Sequence, residues 1–464
     1  MSSQTRDMTH GSPARHILLF CLPILAGNLF QQLYSLVDTL VVGRVEGVTA
    51  LAAVSSAGWL DWTVLGLAMG LAQGFAIQIA QCFGAGDEAG LRRSAGQSLL
   101  LAAGVVIVLE VVSQALLRPV LTLMQTPSDT YELTCTYLRI VFGGLPFVMG
   151  FNLFSGFLRS VGNSRTPLAA MTTAALCNIA LDLLLVGFLR WSVVGVAAAT
   201  VFSQGISCVI CLIALCRMPL MRLSRDDLRP SRPVCLRLMR LGVPVAFQNL
   251  IISVGGLVLQ GVVNAQGFIF MAGYSAASRL QGLVEMAGTA VGSAVGTFAG
   301  QNMGAGKLDR VRLGLRRSAQ IATVLAVAVA AVLLIWGKPL LRLFIEDDPA
   351  MVEQVLTFGY RFLTVMACGL FTLYLLFVYR STLQGLGDTF VPMLSGVVEL
   401  VMRVLAALAL PTLQGEWGIY LAEIMAWAGA AVLLICGYYR RMRLLSLRPS
   451  RGGYSDEEAA DHRL

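Results

Sequence analysis

Seven carboxylic acids stand inside long apolar stretches of this chain: Asp38, Asp61, Glu110, Asp182, Glu285, Glu399 and Glu423. An ionisable group at membrane depth is costly, so each is a candidate for function by default. Asp182 follows Asn178 by four residues and Asp38 follows Tyr34 by four, which puts each pair on one face of a helix. With Thr200, these residues offer two carboxylates, an amide, a hydroxyl and a phenol. Oxygen donors of this kind suit a hard cation such as sodium. A carboxyl in the same place can instead carry a proton. The three histidines, His10, His16 and His462, are all terminal, so any cation coupling must run through carboxylates. None of the acids forms a catalytic motif: there is no H-E-x-x-H and no paired aspartate in a loop.

The elements that hold these acids are membrane spans. The chain is 56% hydrophobic and 13% charged, against roughly 25% charged in a soluble domain. Twelve stretches reach the roughly 20 apolar residues that a span needs: 15–43, 48–80, 94–117, 132–156, 166–189, 193–216, 237–263, 270–300, 314–336, 353–381, 391–412 and 417–439. They lack the alternation of barrel strands, and lipid offers no partner for unpaired backbone, so they are expected as helices. With the N-terminus inside, 25 Lys and Arg fall in inside segments and 5 in outside loops. That bias predicts two cytoplasmic termini and an even number of spans. It also accounts for the net charge of +8 without nucleic acid. Nine of the ten cysteines lie in or beside apolar runs, and the Cys208-x-x-Cys211 pair reads as small hydrophobes in a helix rather than a metal or redox site. No cleavable signal peptide is expected.

The depths agree. Counting 1.5 Å per residue from Arg44, Arg190 and Trp191 places Asp38, Asp182 and Thr200 roughly 9, 12 and 13 Å below the outer face.

The two halves repeat. Pro23-x4-Asn28-Leu29 recurs as Pro244-x4-Asn249-Leu250, Gln81-x-x-Gly84-Ala85-Gly86 as Gln301-x-x-Gly304-Ala305-Gly306, and Gly162-Asn163 with Pro167 as Gly387-Asp388 with Pro392, at offsets of 220 to 225. Six spans per half make this a parallel repeat, two bundles able to alternate access about a central site. The expected organisation is a cytoplasmic segment 1–14, a lobe 15–216, a linker 217–236, a lobe 237–439 and a cytoplasmic tail 440–464. The fold class is all-α integral membrane, with twelve helices in two six-helix lobes.

On these motifs the chain resembles the multidrug and toxic compound extrusion family, from Pro23 to about Tyr439. The loop after span 2 does not fit the Gly-x3-Asp-Arg-x-Gly-Arg-Arg spacing of the other large twelve-span class. The resemblance implies two lobes in a V, an internal cavity, and export of small, often cationic or amphiphilic compounds driven by proton or sodium entry. It implies a cation site at Asp38, Asn178, Asp182 and Thr200, to which Tyr34 is added. It also implies a role for Pro23, which removes a helical hydrogen bond in span 1, as the hinge that couples ion binding to bending. Gln31, Asn152, Arg279 and Glu285 are the candidate substrate contacts. No cofactor is expected beyond the coupling ion, proton or sodium. The expected partners are a small-molecule substrate and the bilayer, with the chain a monomer in the plasma (inner) membrane. A lipid or lipid-linked oligosaccharide flippase of the same superfamily is the alternative, a membrane-embedded enzyme a more distant one. Across the repeat, Asp38, Asn178 and Asp182 map onto Leu259, Arg403 and Ala407, so coupling is expected in the first lobe alone. Glu399 and Arg403, four apart, are expected to pair.

Overall fold

The computed structural model describes residues 5–45, 48–124, 126–344 and 349–447, with the side chain of Tyr34 outside the described atoms. Every described element is helical. The order is α1 (Pro13–Val45), α2 (Val48–Ala85), α3 (Glu88–Leu123), α4 (Ser128–Gly143), α5 (Leu145–Ser160), α6 (Arg165–Asp182), α7 (Ser192–Cys216), α8 (Arg232–Asn264), α9 (Phe268–Gly304), α10 (Leu308–Arg342), α11 (Pro349–Gly385), α12 (Phe390–Gln414) and α13 (Glu416–Ser446). The twelve expected spans map onto these thirteen helices because α4 and α5 together make the fourth. They bend by 44° at Gly144. Pro146 has no N–H to continue the ladder, and a Cβ on Gly144 would meet Val201 of α7. By length and hydropathy alone ten helices qualify as spans, or eleven with the bent pair.

The repeated glycines end helices. Gly86, Gly162, Gly306 and Gly387 all take left-handed φ, at 70°, 87°, 67° and 80°. Each closes the same pair of bonds. At the first, the Asp87 N–H donates to the Cys82 carbonyl and the Gly86 N–H to that of Phe83. At the third, the Lys307 N–H donates to Asn302 and the Gly306 N–H to Met303. Asn163 to Leu158 with Gly162 to Arg159, and Asp388 to Leu383 with Gly387 to Gln384, repeat it. This is the Schellman cap, which satisfies end carbonyls and needs a residue without a Cβ. After the first cap the Asp87 carboxylate accepts from the Gly90 N–H at 2.8 Å and starts α3.

The chain forms two compact units, and their boundaries fall inside helices. Among the described residues, one unit takes 5–7 and Leu22–Ala246, and the other takes Met8–Cys21 and 247–447. Helix α1 passes from one unit to the other at Cys21 and Leu22, next to Pro23, and α8 does so at Ala246 and Phe247, next to Pro244.

In the first unit, residues 217–236 pack down instead of running free. The Gln97 carboxamide donates to the carbonyls of Asp227 and Arg229 at 2.9 and 2.8 Å and accepts from the Ser231 N–H at 2.9 Å. The Ser224 backbone N–H and hydroxyl, both bonded to Asp227, hold its carboxyl below the usual carboxylate range. Gly70 and Gly74 of α2 lie so close to Ala246 and Gly242 of α8 that a Cβ on either would strike backbone.

In the second unit the N-terminal segment is seated in the same way. The Met8 N–H donates to Gln301 Oε1 at 2.9 Å. Asn302 and Arg310 donate to the Met8 carbonyl at 3.3 and 3.0 Å, and Lys307 to that of Thr9 at 3.0 Å. Its core is α9 against α11, where glycines such as Gly292 and Gly385 admit close approach, beside an aromatic group of Phe270, Tyr274, Phe358, Phe362 and Tyr420.

A Cβ at Gly86 or Gly306 would meet nothing within 4 Å. Gly86→Ala and Gly306→Ala therefore suffer only the left-handed strain, about 1–2 kcal/mol each. Gly162→Ala adds a collision with the Arg6 backbone and is expected to lower the thermal unfolding midpoint in detergent further than either.

Candidate functional site

Asp38 lies on α1, Asn178 and Asp182 on the last turns of α6, and Thr200 on α7, all in the first unit. Asp182 and Asn178 share a helix face as their spacing requires. The α-helix ends at Asp182, and a single π-helical stretch, Leu183–Phe188, takes over. Such wider turns recur at functional sites because they redirect side chains. Beyond it the chain reverses through Arg190 and Ser192, both with positive φ, 56° and 49°.

Three of the side chains converge. The Asp38 carboxyl faces the Asp182 carboxyl and the Asn178 carboxamide. Asp182 and Asn178 are 0% and 1% exposed. Asp38 Oδ1, both oxygens of Asp182, both polar atoms of the Asn178 amide and Thr200 Oγ1 are buried without a hydrogen-bond partner. That is six of the 16 such atoms among the described residues. A buried polar atom left unpaired costs about 1–3 kcal/mol, and native folds pair nearly all of them. Five of the six, on Asp38, Asn178 and Asp182, belong to one group that faces inward, and Thr200 adds a sixth on the neighbouring helix α7. Two carboxylates cannot both stay charged there unless a cation lies between them. Among the described residues no three His, Cys, Asp or Glu gather as a metal centre. Two carboxylates with neutral oxygens fit a singly charged ion or a proton better than a transition metal. Ser203, three residues beyond Thr200, adds a further partnerless buried hydroxyl. It was not among the residues expected from sequence, although its helical spacing from Thr200 was a usable signal.

The corresponding positions of the second unit are chemically different. Leu259 and Ala407 are each 1% exposed. Arg403 holds Glu399 at 3.1 Å and Glu423 at 3.0 Å, while Arg380 holds the other Glu399 oxygen at 2.8 Å. The expected Glu399–Arg403 pair is therefore half of a network of two arginines and two glutamates. Arg380, counted from sequence with the inside loop after span 10, is in fact buried within α11. Its partner lies on another helix, which loop-counting does not see.

The candidate substrate contacts are dispersed. Gln31 is exposed, and Asn152 donates to the Val148 carbonyl of its own helix at 2.8 Å. Glu285 accepts from Gln281 at 2.8 Å and lies within electrostatic reach of Arg403, Glu399 and Glu423, whereas Arg279 is exposed. No described ion pair joins Arg279 to Glu285. Asp61 on α2 has one buried partnerless oxygen, and Glu110 on α3 is half-buried.

The model of the MatE family matches residues 23–184 and 244–408, one match in each half. The chain is 30% identical over 364 residues to the Probable multidrug resistance protein YpnP of Bacillus subtilis, covering 77% of this chain and 82% of that one. It is 26% identical over 417 residues to the FAD transporter of Shewanella oneidensis, covering 88% and 90%. Among solved structures, an outward-facing multidrug resistance MATE family transporter superposes with a TM-score of 0.87 at 22% identity, over 95% of this chain and 98% of that one. A duplicated twelve-span bundle with these matches in both halves belongs to the MatE family of multidrug efflux transporters.

Removing Arg403 tests the second-unit network. Arg403→Met deprives Glu423 of its guanidinium and leaves Glu399 to Arg380. A buried pair broken from one side costs about 3–5 kcal/mol, to be read as a lowered unfolding midpoint in detergent.

Proposed function

We propose that the chain is a secondary antiporter. It exports small, often cationic or amphiphilic compounds by alternating access, in exchange for a proton or sodium ion bound at Asp38, Asn178, Asp182 and Thr200. The observation that carries the reading is the set of six buried polar atoms on those four residues with no protein partner. Such a set is stabilised when a cation or proton enters and is left unsatisfied when it goes, which is what coupling requires. The reading makes the chain a carrier and not an enzyme, acting as a monomer in the plasma membrane with both termini in the cytoplasm. The names of its relatives support a small-molecule cargo. Coupling belongs to the first half, since in the second Leu259 and Ala407 replace the two aspartates and Arg403, in place of Asn178, is already held by Glu399 and Glu423. Pro23 stands fifteen residues before Asp38 on the same helix, so ion binding at Asp38 bears on a helix already weakened at one turn.

Asn in place of Asp keeps size and removes charge. Asp38→Asn and Asp182→Asn are each expected to abolish dye export from proteoliposomes under imposed sodium and pH gradients, applied separately, while melting as wild type. Export by both at the wild-type rate places the site elsewhere. In titration calorimetry the double variant should lose cation binding and Glu285→Gln should keep it; the opposite result moves the site to the second half.

The topology is tested by a reporter fused after Leu464. Activity on the cytoplasmic side agrees with the 25-to-5 distribution of basic residues. Activity outside overturns it.

A further inference from the structure

A groove of about 820 Å³ opens in the second unit between α10, α11 and α13, away from the network around Arg403. Along α10 its floor is a stripe of Arg312, Arg316, Ala319 and Thr323, with Val324 at its edge. The spacing of three and four keeps these residues on one helix face. From Arg312 to Val324 the stripe is about 18 Å long at the helical rise. Its two ends differ. Arg312, Arg316 and the phenols of Tyr379, Tyr438 and Tyr439 lie at one end, and Val324, Phe371 and Leu375 at the other. Arg312 and Arg316 are exposed. Arg312 touches Asp309 at 2.8 Å, and no ion pair engages Arg316 among the described residues. The last turns of α13 add Arg440, Arg441 and Arg443 at the same end of the bundle.

The first unit shows what this place looks like when the chain itself covers it. At the repeat offset of 220, Arg92 stands for Arg312 and Gly96 for Arg316. There the Asp227 carbonyl lies against Gly96, where a Cβ would collide with it, and Gln97 holds the segment down through Asp227, Arg229 and Ser231. In the second unit the small residue has become an arginine, and no described segment of the chain lies over it.

We infer that this groove binds one anionic phospholipid, its phosphate on Arg312 and Arg316 and an acyl chain along Thr323, Val324, Phe371 and Leu375. Positive charge at the polar end favours an anionic head over a cationic amphiphile. A basic pocket between helices at the basic face of a membrane protein is the kind of place where anionic lipid collects. The apolar 18 Å stripe gives a free phosphate nothing to add, so the acyl chain is part of the recognition.

The test uses the full chain in mixed micelles, with phosphatidylglycerol or phosphatidylcholine titrated in and retained lipid counted by native mass spectrometry. Phosphatidylglycerol is expected to bind as one tight adduct and phosphatidylcholine not to. The double variant Arg312→Gln/Arg316→Gln is expected to bind phosphatidylglycerol ~25-fold more weakly, from about 1 kcal/mol per basic side chain, while its unfolding midpoint without lipid is unchanged. Arg92→Gln/Arg93→Gln, in the first unit, should bind as wild type. Equal binding of the two lipids, full retention of the adduct by the Arg312/Arg316 variant, or displacement of the lipid by a cationic amphiphile at equal concentration overturns the assignment.

Discussion

Hydrocarbon gives a polar group no solvent to turn to, and most of this structure follows from that one condition. Backbone groups must pair within their own helix, so the chain crosses as helices and closes their ends with glycine caps. Buried side-chain charges must find partners in the protein or hold something that moves. The second half takes the first course. Arg380, Glu399, Arg403 and Glu423 neutralise one another within 3.1 Å contacts. The first half has no such network around its aspartates. Asp38 and Asp182 face each other with no arginine between them, and most of their buried oxygens are unsatisfied by protein.

The repeat makes this contrast sharper than either half alone. The same helix caps recur at four glycines; the Gln301 turn holds the segment before α1, while Gln97 of α3 holds the one before α8. What has diverged is the chemistry at a few positions on that common frame: aspartate to leucine, asparagine to arginine, aspartate to alanine. A duplicated scaffold can keep its packing while the two copies diverge in charge, because the positions that cap helices are not those that carry charge.

Much of this was legible in the sequence, for physical reasons that can be stated. Span number, all-helical class and the parallel repeat follow from apolar length and from glycines whose role is local. The meeting of Asp38 with Asn178 and Asp182 was expected from helical spacing and a count of depth, both of which hold for regular helices. The failures share a different cause. The break at Gly144, the π-helical turn after Asp182, and the seating of Arg380 and Glu423 beside Glu399 and Arg403 depend on which helices become neighbours. Residues 19 and 20 apart on separate helices leave no periodic trace. The placement of Met8–Cys21 with the second unit was invisible for the same reason.

That last feature sets an order of events during synthesis. Met8 bonds to Gln301 and Asn302, 293 and 294 residues further on. At the usual pace of translation, about 5–20 residues per second, those partners emerge roughly 15–60 s after Met8. Through that interval Met8 and Thr9 lack these partners, although Arg6 just before them can already bond to Val161 of the first half. Met8 and Thr9 are thus among the last parts of the molecule to dock, although they are among the first to be made.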